Sequence, residues 1–284
     1  MKKFNSYFLA IMLGGLVFTT SCDKENVNPP AVVQENNVAN GRIKMVYSVQ
    51  VLPSSSVQGG KTMGILGADV TIAANGKTMT AKVGEDGIAI FNDIKPGTVN
   101  GYVKATGYST LSFTSELNPT VTVGDSDLVQ FAASKIYLYP KTASLTGRIY
   151  GDFALDGGNP NPVTPNVEKY QLPADGYVRV IYNTDNYKMG SGLGKLTSVS
   201  LEPNIIRYNT ESEGKFDITG LYPTEDGTIS ARLLMDDYAR TASATQGNRT
   251  VVFRFSNAQA TNYSALKLYA GSATVLGDIF VNYQ

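Results

Sequence analysis

The chain contains a single thiol, Cys22, and neither histidine nor tryptophan. Without an imidazole it cannot assemble a Ser-His-Asp or Cys-His pair, and the usual zinc site of histidine and cysteine ligands is excluded. Carboxylates, tyrosine, lysine and serine remain for acid, base or nucleophilic work. A two-carboxylate glycosidase needs only Asp or Glu about 5–10 Å apart, so composition leaves that chemistry open, yet no short motif points to it. One cysteine makes no intrachain disulfide, so stability must rest on core burial. The expectation is an absence of catalytic residues, of cofactor and of metal.

Three groups of residues invite a chemical reading. Met189-Gly190-Ser191-Gly192-Leu193-Gly194-Lys195-Leu196-Thr197 resembles a phosphate loop in composition but not in spacing. Such a loop needs four residues between its first glycine and the Gly-Lys pair, and Ser or Thr directly after the lysine. It also needs a following helix, so a mobile hairpin loop is expected here. Asp125-Ser126-Asp127, Asp152 with Asp156, and Asp236-Asp237 are candidate calcium ligands. None reproduces an EF-hand loop, and solvated turn carboxylates are the simpler reading. Tyr137, Tyr139, Tyr150, Tyr170, Tyr177, Tyr182 and Tyr187 lie close together among 17 tyrosines. On an exposed face they could stack on sugar rings, but tyrosine also favours strands, where it would be half-buried.

The elements that must position these residues are strands. From Gly41 onward, short alternating apolar and polar runs rich in Val, Ile, Tyr, Phe and Thr are broken by Gly, Pro, Asn and Asp. Ala68-Asp69-Val70-Thr71-Ile72-Ala73 alternates, Asn75-Gly76 supplies a tight turn, and Lys77 to Val83 returns. No window of helical length keeps a 3.6-residue apolar period. This predicts an all-β fold of antiparallel β-sandwiches.

The arrangement is repeated. Asp86 to Ile94 can be laid on Glu213 to Leu221 without a gap, with apolar residues two, four and seven positions after Gly87 and Gly214. Gly41-Arg42-Ile43 and Gly147-Arg148-Ile149 precede the two segments, and Lys135–Tyr139 and Gly277–Tyr283 close the two units. The second unit is longer between Gly-Arg-Ile and the turn glycine, which predicts an insertion near 151–175. The expected domains are a sandwich over 41–140 and a second, diverged sandwich over 141–284.

Gly67-Ala68-Asp69-Val70, Asp86-Gly87 with Phe91 and Ile94, Pro96-Gly97, and Ala105-Thr106-Gly107-Tyr108 resemble the carboxypeptidase regulatory-like domain. The resemblance covers residues 41–140 well and 141–284 more weakly, where Asp236-Asp237-Tyr238 replaces the Thr-Gly-Tyr step. It implies two tandem Ig-like or transthyretin-like (prealbumin-like) sandwiches. It implies no peptidase activity, because the family's repeated residues make turns and core and fold alone supplies no function. Ala89 stands where that family often has an aromatic residue.

The amino terminus has a basic start at Lys2 and Lys3, an apolar stretch from Phe8 to Phe18, and small residues before Cys22, the form of a signal peptide. A stretch of about 11 apolar residues is short of the about 20 that a transmembrane helix needs. Residues 1–21 with Cys22 resemble the signal peptide and lipidation site of bacterial lipoproteins of the Bacteroidota type. That resemblance implies lipidation of Cys22 and attachment to the outer membrane, on either the periplasmic or the cell-surface face. Residues 22–40, with Pro29-Pro30 and many polar residues, read as a flexible tether with a reach of roughly 20–25 Å. Loss of Lys2 and Lys3 leaves 22 basic against 24 acidic residues, a slight acidic excess, so nothing favours nucleic acid. The reading is a non-enzymatic lipid-anchored envelope protein whose partner is an envelope protein or a polysaccharide. A glycan-binding accessory lipoprotein of a polysaccharide-uptake system is the alternative, and a carboxylate-based glycoside hydrolase the least favoured.

Overall fold

The computed structural model describes residues 43–54, 63–119, 128–151, 176–242 and 249–281. The expected signal peptide over residues 1–21, Cys22, the expected tether over 22–40, Asp125-Ser126-Asp127, Asp152, Asp156, Tyr170 and the segment 152–175 lie outside the described residues.

The expected all-β sandwich fold is present. In the first half, strand β1 (Ile43–Pro53) alternates from Ile43 to Val51, burying Ile43, Met45, Tyr47, Val49 and Val51 on one face. It pairs antiparallel with β4 (Ile88–Ile94) and parallel with β7 (Leu128–Leu138). The facing sheet contains β2 (Asp69–Ala74), β3 (Lys77–Lys82), β5 (Gly97–Lys104) and β6 (Thr110–Leu117). Between β2 and β3 both Asn75 and Gly76 have positive φ, 53° and 73°, the geometry of a two-residue hairpin turn.

The second half repeats this framework. Strand β8 (Ala143–Gly151) pairs antiparallel with β12 (Lys215–Leu221) and parallel with β16 (Ala273–Val281), as β1 does with β4 and β7. Strand β9 (Tyr177–Asn183) lies between β11 (Ile205–Asn209) and β13 (Ser230–Met235), as β2 lies between β3 and β5. A hairpin of β14 (Tyr238–Ala242) and β15 (Arg249–Phe253) and a short helix α1 (Asn257–Asn262) follow. Sheets are thus antiparallel except where each closing strand runs parallel to its opening strand. Where the first half has a two-residue turn between β2 and β3, the second sends out residues 184–204, which carry β10 (Leu196–Glu202).

The repeat read from Asp86–Ile94 and Glu213–Leu221 is structural. Ala89, Phe91 and Ile94 are buried in one copy and Phe216, Ile218 and Leu221 in the other. Both strands are irregular at the same place, with Asp93 at φ 57° and Gly220 at φ 72° beside a register shift in each pairing. Such a bulge returns the seventh position to the core after two outward residues.

The Gly-Arg-Ile triplets, in contrast, are not equivalent. Ile88 pairs with Gln50 and Lys215 pairs with Arg148, so Arg148 corresponds to Gln50 and Gly147 to Val49. Ile43 opens β1, whereas Ile149 lies near the end of β8. The true correspondence exposes an exchange of volume. Val49 faces Ala89 in the first sandwich, while Gly147 faces Phe216 in the second. A Cβ on Gly147 would come within 2.5 Å of the Phe216 ring, so the aromatic ring occupies the space that Val49 fills in the first copy. The aromatic residue missing at Ala89 is therefore compensated across the strand pair.

Buried side chains of the two sandwiches form one contiguous hydrophobic cluster. Among the described residues no helix is long and apolar enough to cross a membrane.

Removing the Phe216 ring leaves a cavity beside a glycine, so Phe216→Ala is expected to cost about 3–5 kcal/mol. Gly147→Val combined with Phe216→Ala restores the pairing of the first sandwich. Its loss, measured by urea unfolding, is expected to be smaller than that of Phe216→Ala alone; strictly additive losses would contradict the exchange.

Candidate functional site

Two buried hydroxyls, Ser115 and Ser134, meet the backbone where residues 184–204 cross from the second sandwich to the first. Strand β10 does not pair with its neighbours in sequence. It pairs antiparallel with β6, from Leu196 opposite Ser115 to Glu202 opposite Thr110, and becomes the edge strand of the first sandwich's larger sheet. Leu196, Val199 and Leu201 are buried there, and a register shift between Leu196 and Ser198 puts residues three apart on the same face. Burying three such side chains stabilises the crossing by roughly 1.5–3 kcal/mol each.

Polar contacts fix the crossing point. The fully buried Ser115 hydroxyl shares its one proton between the carbonyls of Gly194 at 2.9 Å and Lys195 at 3.1 Å. Ser134 of β7 also donates to the Gly194 carbonyl, which leaves its oxygen to accept from the Tyr47 hydroxyl at 2.6 Å. The Ala133 amide donates to Leu193 O at 3.1 Å, continuing β7 at its edge. Gly194 has φ 90°, and a Cβ there would lie 2.8 Å from the Ala133 nitrogen. The glycine-rich run is therefore a fitted crossing and not a free hairpin tip. Two of its amides are also engaged within the run, Lys195 N donating to Gly192 O and Leu196 N to Met189 O, which removes those two from any phosphate. An open cleft of about 460 Å³ beside it is lined by Glu116, Asn118, Gln130, Gly192, Leu193 and Lys195.

Most of the tyrosine group is consumed in holding the chain together. The buried Tyr187 hydroxyl accepts from Tyr137 N at 2.6 Å and donates to Tyr137 O at 3.2 Å, tying the crossing segment to β7. Tyr182 makes the same two-point contact with the backbone of Tyr222. The Tyr139 hydroxyl donates to Thr228 Oγ1 at 2.8 Å, and Thr228 donates in turn to Asp226. Tyr139, Tyr150, Tyr182 and Tyr187 are buried and Tyr137 is half-buried, so these residues present no sugar platform. Burial pushes the phenols of Tyr139, Tyr182 and Tyr187 well above their ordinary range, because the phenolate would lose its hydration.

Tyr177 has a different role. It lies half-buried on the outward face of the β11–β9–β13 sheet, where the Arg207 guanidinium sits 3.6 Å from its ring centroid. Asp236 accepts from Arg207 at 3.0 Å and forms an ion pair with Arg179. Asp237 pairs with Arg254 at 3.1 Å. Both carboxylates of the Asp236-Asp237 pair are thus engaged by guanidinium groups, and they diverge instead of converging on a cation. Arg232 is exposed on the same sheet face. The sequence reading missed this arginine face. Its signal was the outward phase of three separated strands, Tyr177-Val-Arg179, Ile205-Ile-Arg207 and Ser230-Ala-Arg232.

The sequence matches no protein-family model, and no curated protein is significantly similar to it. Among solved structures, the minor pilin GBS52 of Streptococcus agalactiae is 11% identical, with 84% of this chain and 94% of the pilin covered at a TM-score of 0.34. A candidate carbohydrate-binding protein of Bacteroides uniformis is 10% identical, with 84% and 95% covered and a TM-score of 0.23. A DUF3823 family protein of Bacteroides ovatus is 12% identical, with 81% and 100% covered and a TM-score of 0.21. Likenesses this distant carry no argument about activity.

Tyr187→Phe keeps the packing and removes both hydrogen bonds to Tyr137, an expected loss of about 1–3 kcal/mol at neutral pH. The phenol also gives a pH signature. Its proton is held more tightly in the folded state, so its contribution is fully present below about pH 10 and is lost as pH rises above that. In melts between pH 8 and 12, the decline of wild-type stability above about pH 10 is expected to be steeper than that of Tyr187→Phe, by up to about 1.4 kcal/mol per pH unit. Parallel declines would contradict a buried, protonated Tyr187.

Proposed function

We propose that the chain is a non-enzymatic, lipid-anchored protein of the cell envelope that presents two β-sandwich modules as one stiff body for binding or structural interaction. The observation that carries this reading is β10. A strand supplied by the second sandwich completes a sheet of the first, Ser115, Ser134 and Tyr187 hold the crossing in place, and the Tyr139–Thr228 hydrogen bond ties the two halves at a further point. Ordinary tandem domains move about their linker, whereas a strand shared across the joint fixes how the outer loops and faces are displayed. This suits a protein that presents surfaces at a distance from a membrane.

The anchor in this proposal is Cys22 at the end of residues 1–21, with residues 22–40 as the tether. The site is the outer membrane, on its periplasmic or cell-surface face. Two or more acyl chains would hold the protein far more firmly than one. Membership of the carboxypeptidase regulatory-like group forms part of the same reading. It is supported by the jobs its motif residues perform. Asp86 accepts from Ile88 N at 3.0 Å and Gly87 has φ 78°, closing the turn before β4. Gly97 and Gly107 also have positive φ, and Tyr108 N closes a turn on Ala105 O.

A second reading, a glycan-binding accessory lipoprotein, is favoured by the exposed arginine-bearing face of the second sandwich.

Palmitate labelling tests the anchor. The wild-type chain is expected to incorporate label, and Cys22→Ala to lose it and leave the membrane fraction. Equal labelling of both would overturn the anchoring step. Protease treatment of intact cells then assigns the face, digestion of both modules marking surface display.

A further inference from the structure

We propose that the outward face of the β11–β9–β13 sheet binds a uronate-bearing polysaccharide, with Arg179, Arg207 and Arg232 pairing with its carboxylates. This inference rests on the display reading only in that it names the partner displayed to.

Register places the residues. Arg207 lies opposite Arg179, which lies opposite Leu234; one row away, Ile205 lies opposite Ile181, which lies opposite Arg232. Paired residues on adjacent strands share a face, with strands about 4.8 Å apart and successive rows about 6.7 Å apart. The three arginines therefore fall within one side-chain reach of a common area. Like charges directly opposite on neighbouring strands destabilise a sheet, so the Arg179–Arg207 pair works against folding unless something neutralises it. Asp236 does so once, by engaging both. Arg232 is exposed and forms no ion pair among the described residues. Three guanidinium groups against one carboxylate leave this face with a positive excess, on a chain whose formal net charge is zero.

The shape of the charge selects its complement. A guanidinium presents two parallel N–H groups that match the two oxygens of a carboxylate, a preference that an ammonium lacks. Asp236, seated between Arg179 and Arg207, already demonstrates that a carboxylate fits there. Tyr177 beneath Arg207 holds that guanidinium against the sheet instead of leaving it to swing in water. Exposed Ile205 and half-buried Ile181 beside Arg232 add an apolar strip that suits the C–H face of a pyranose ring. An open sheet face suits a linear polymer with repeated carboxylates better than it suits a single small anion.

The test is affinity electrophoresis and calorimetry of the full mature chain with polygalacturonate, methyl-esterified polygalacturonate and polyglutamate. The wild-type protein is expected to bind polygalacturonate, to lose that binding with added salt, and to bind the ester and the polypeptide at least tenfold more weakly. Arg232→Gln and Arg207→Gln are each expected to weaken uronate binding by about tenfold. The Arg232→Gln change is expected to leave the melting temperature unchanged. Asp236→Asn frees two guanidinium groups and is expected to strengthen uronate binding severalfold, an effect that a purely structural ion pair would not produce. Equal affinity for the methyl ester, binding of polyglutamate alone, absence of polygalacturonate binding, or unchanged binding by Arg232→Gln would each overturn the proposal. Palmitate labelling and surface proteolysis do not depend on these arginines. Failure here with labelling intact removes this inference and leaves the display reading standing.

Discussion

The pairing of β10 with β6 is the constraint on which the arrangement of the two sandwiches depends. It places seven residues of the second half in a sheet of the first and buries Leu196, Val199 and Leu201 against a core built mainly by residues before 140. Once that strand is in place, the surrounding contacts become consequences of its path. Gly194 must pass close to Ala133, which is why a side chain is excluded there. The carbonyls turned inward at the crossing need donors, and Ser115 and Ser134 supply them. Tyr187 then closes the segment against β7. Each hydrogen bond contributes only about 1 kcal/mol net, but leaving a buried partner unpaired costs more, so the set behaves as a unit.

The duplicated framework shows how one pattern tolerates different residues. Opening, turn and closing strands keep their pairing and even their bulge, yet Val49 with Ala89 in one copy becomes Gly147 with Phe216 in the other. Total volume across the strand pair is maintained while its distribution is reversed. Cores accept such exchanges far better than changes in total volume. The sandwiches diverged on their outer faces as well. In the second sandwich the sheet face at Arg179, Arg207 and Arg232 carries an excess of guanidinium groups, and its tyrosine supports an arginine instead of filling the core.

Local features were legible in the sequence because their causes are local. Asn75-Gly76 demands positive φ at two successive residues, and Gly87 and Gly214 with their apolar positions two, four and seven later encode strand phase and bulge together. The Gly-Arg-Ile match misled because identity of three residues says nothing about register, which is set by partners far along the chain. Non-local features were hidden for the same reason. The run from Met189 to Leu196 has the composition of a solvated hairpin, and only the positions of Ser115 and Ser134 show that its carbonyls are held. The arginine face is divided among three strands whose order in the sheet differs from their order in the chain. Tyrosines close together in sequence suggested a platform, but Tyr182 falls on the inner face of β9, and Tyr139 and Tyr187 are buried by contacts with the other half of the chain; Tyr177 alone of those from Tyr177 to Tyr187 reaches an outer face.

Joined through β10, the two sandwiches are expected to unfold as one body. Native-state hydrogen exchange of the Leu196–Glu202 amides measures this directly. These amides are expected to exchange only through global unfolding, with the same free energy as the β6 and β9 amides, in a protein that shows one calorimetric transition. Exchange of β10 through a separate opening of lower free energy, with the two sandwiches melting independently, would contradict it.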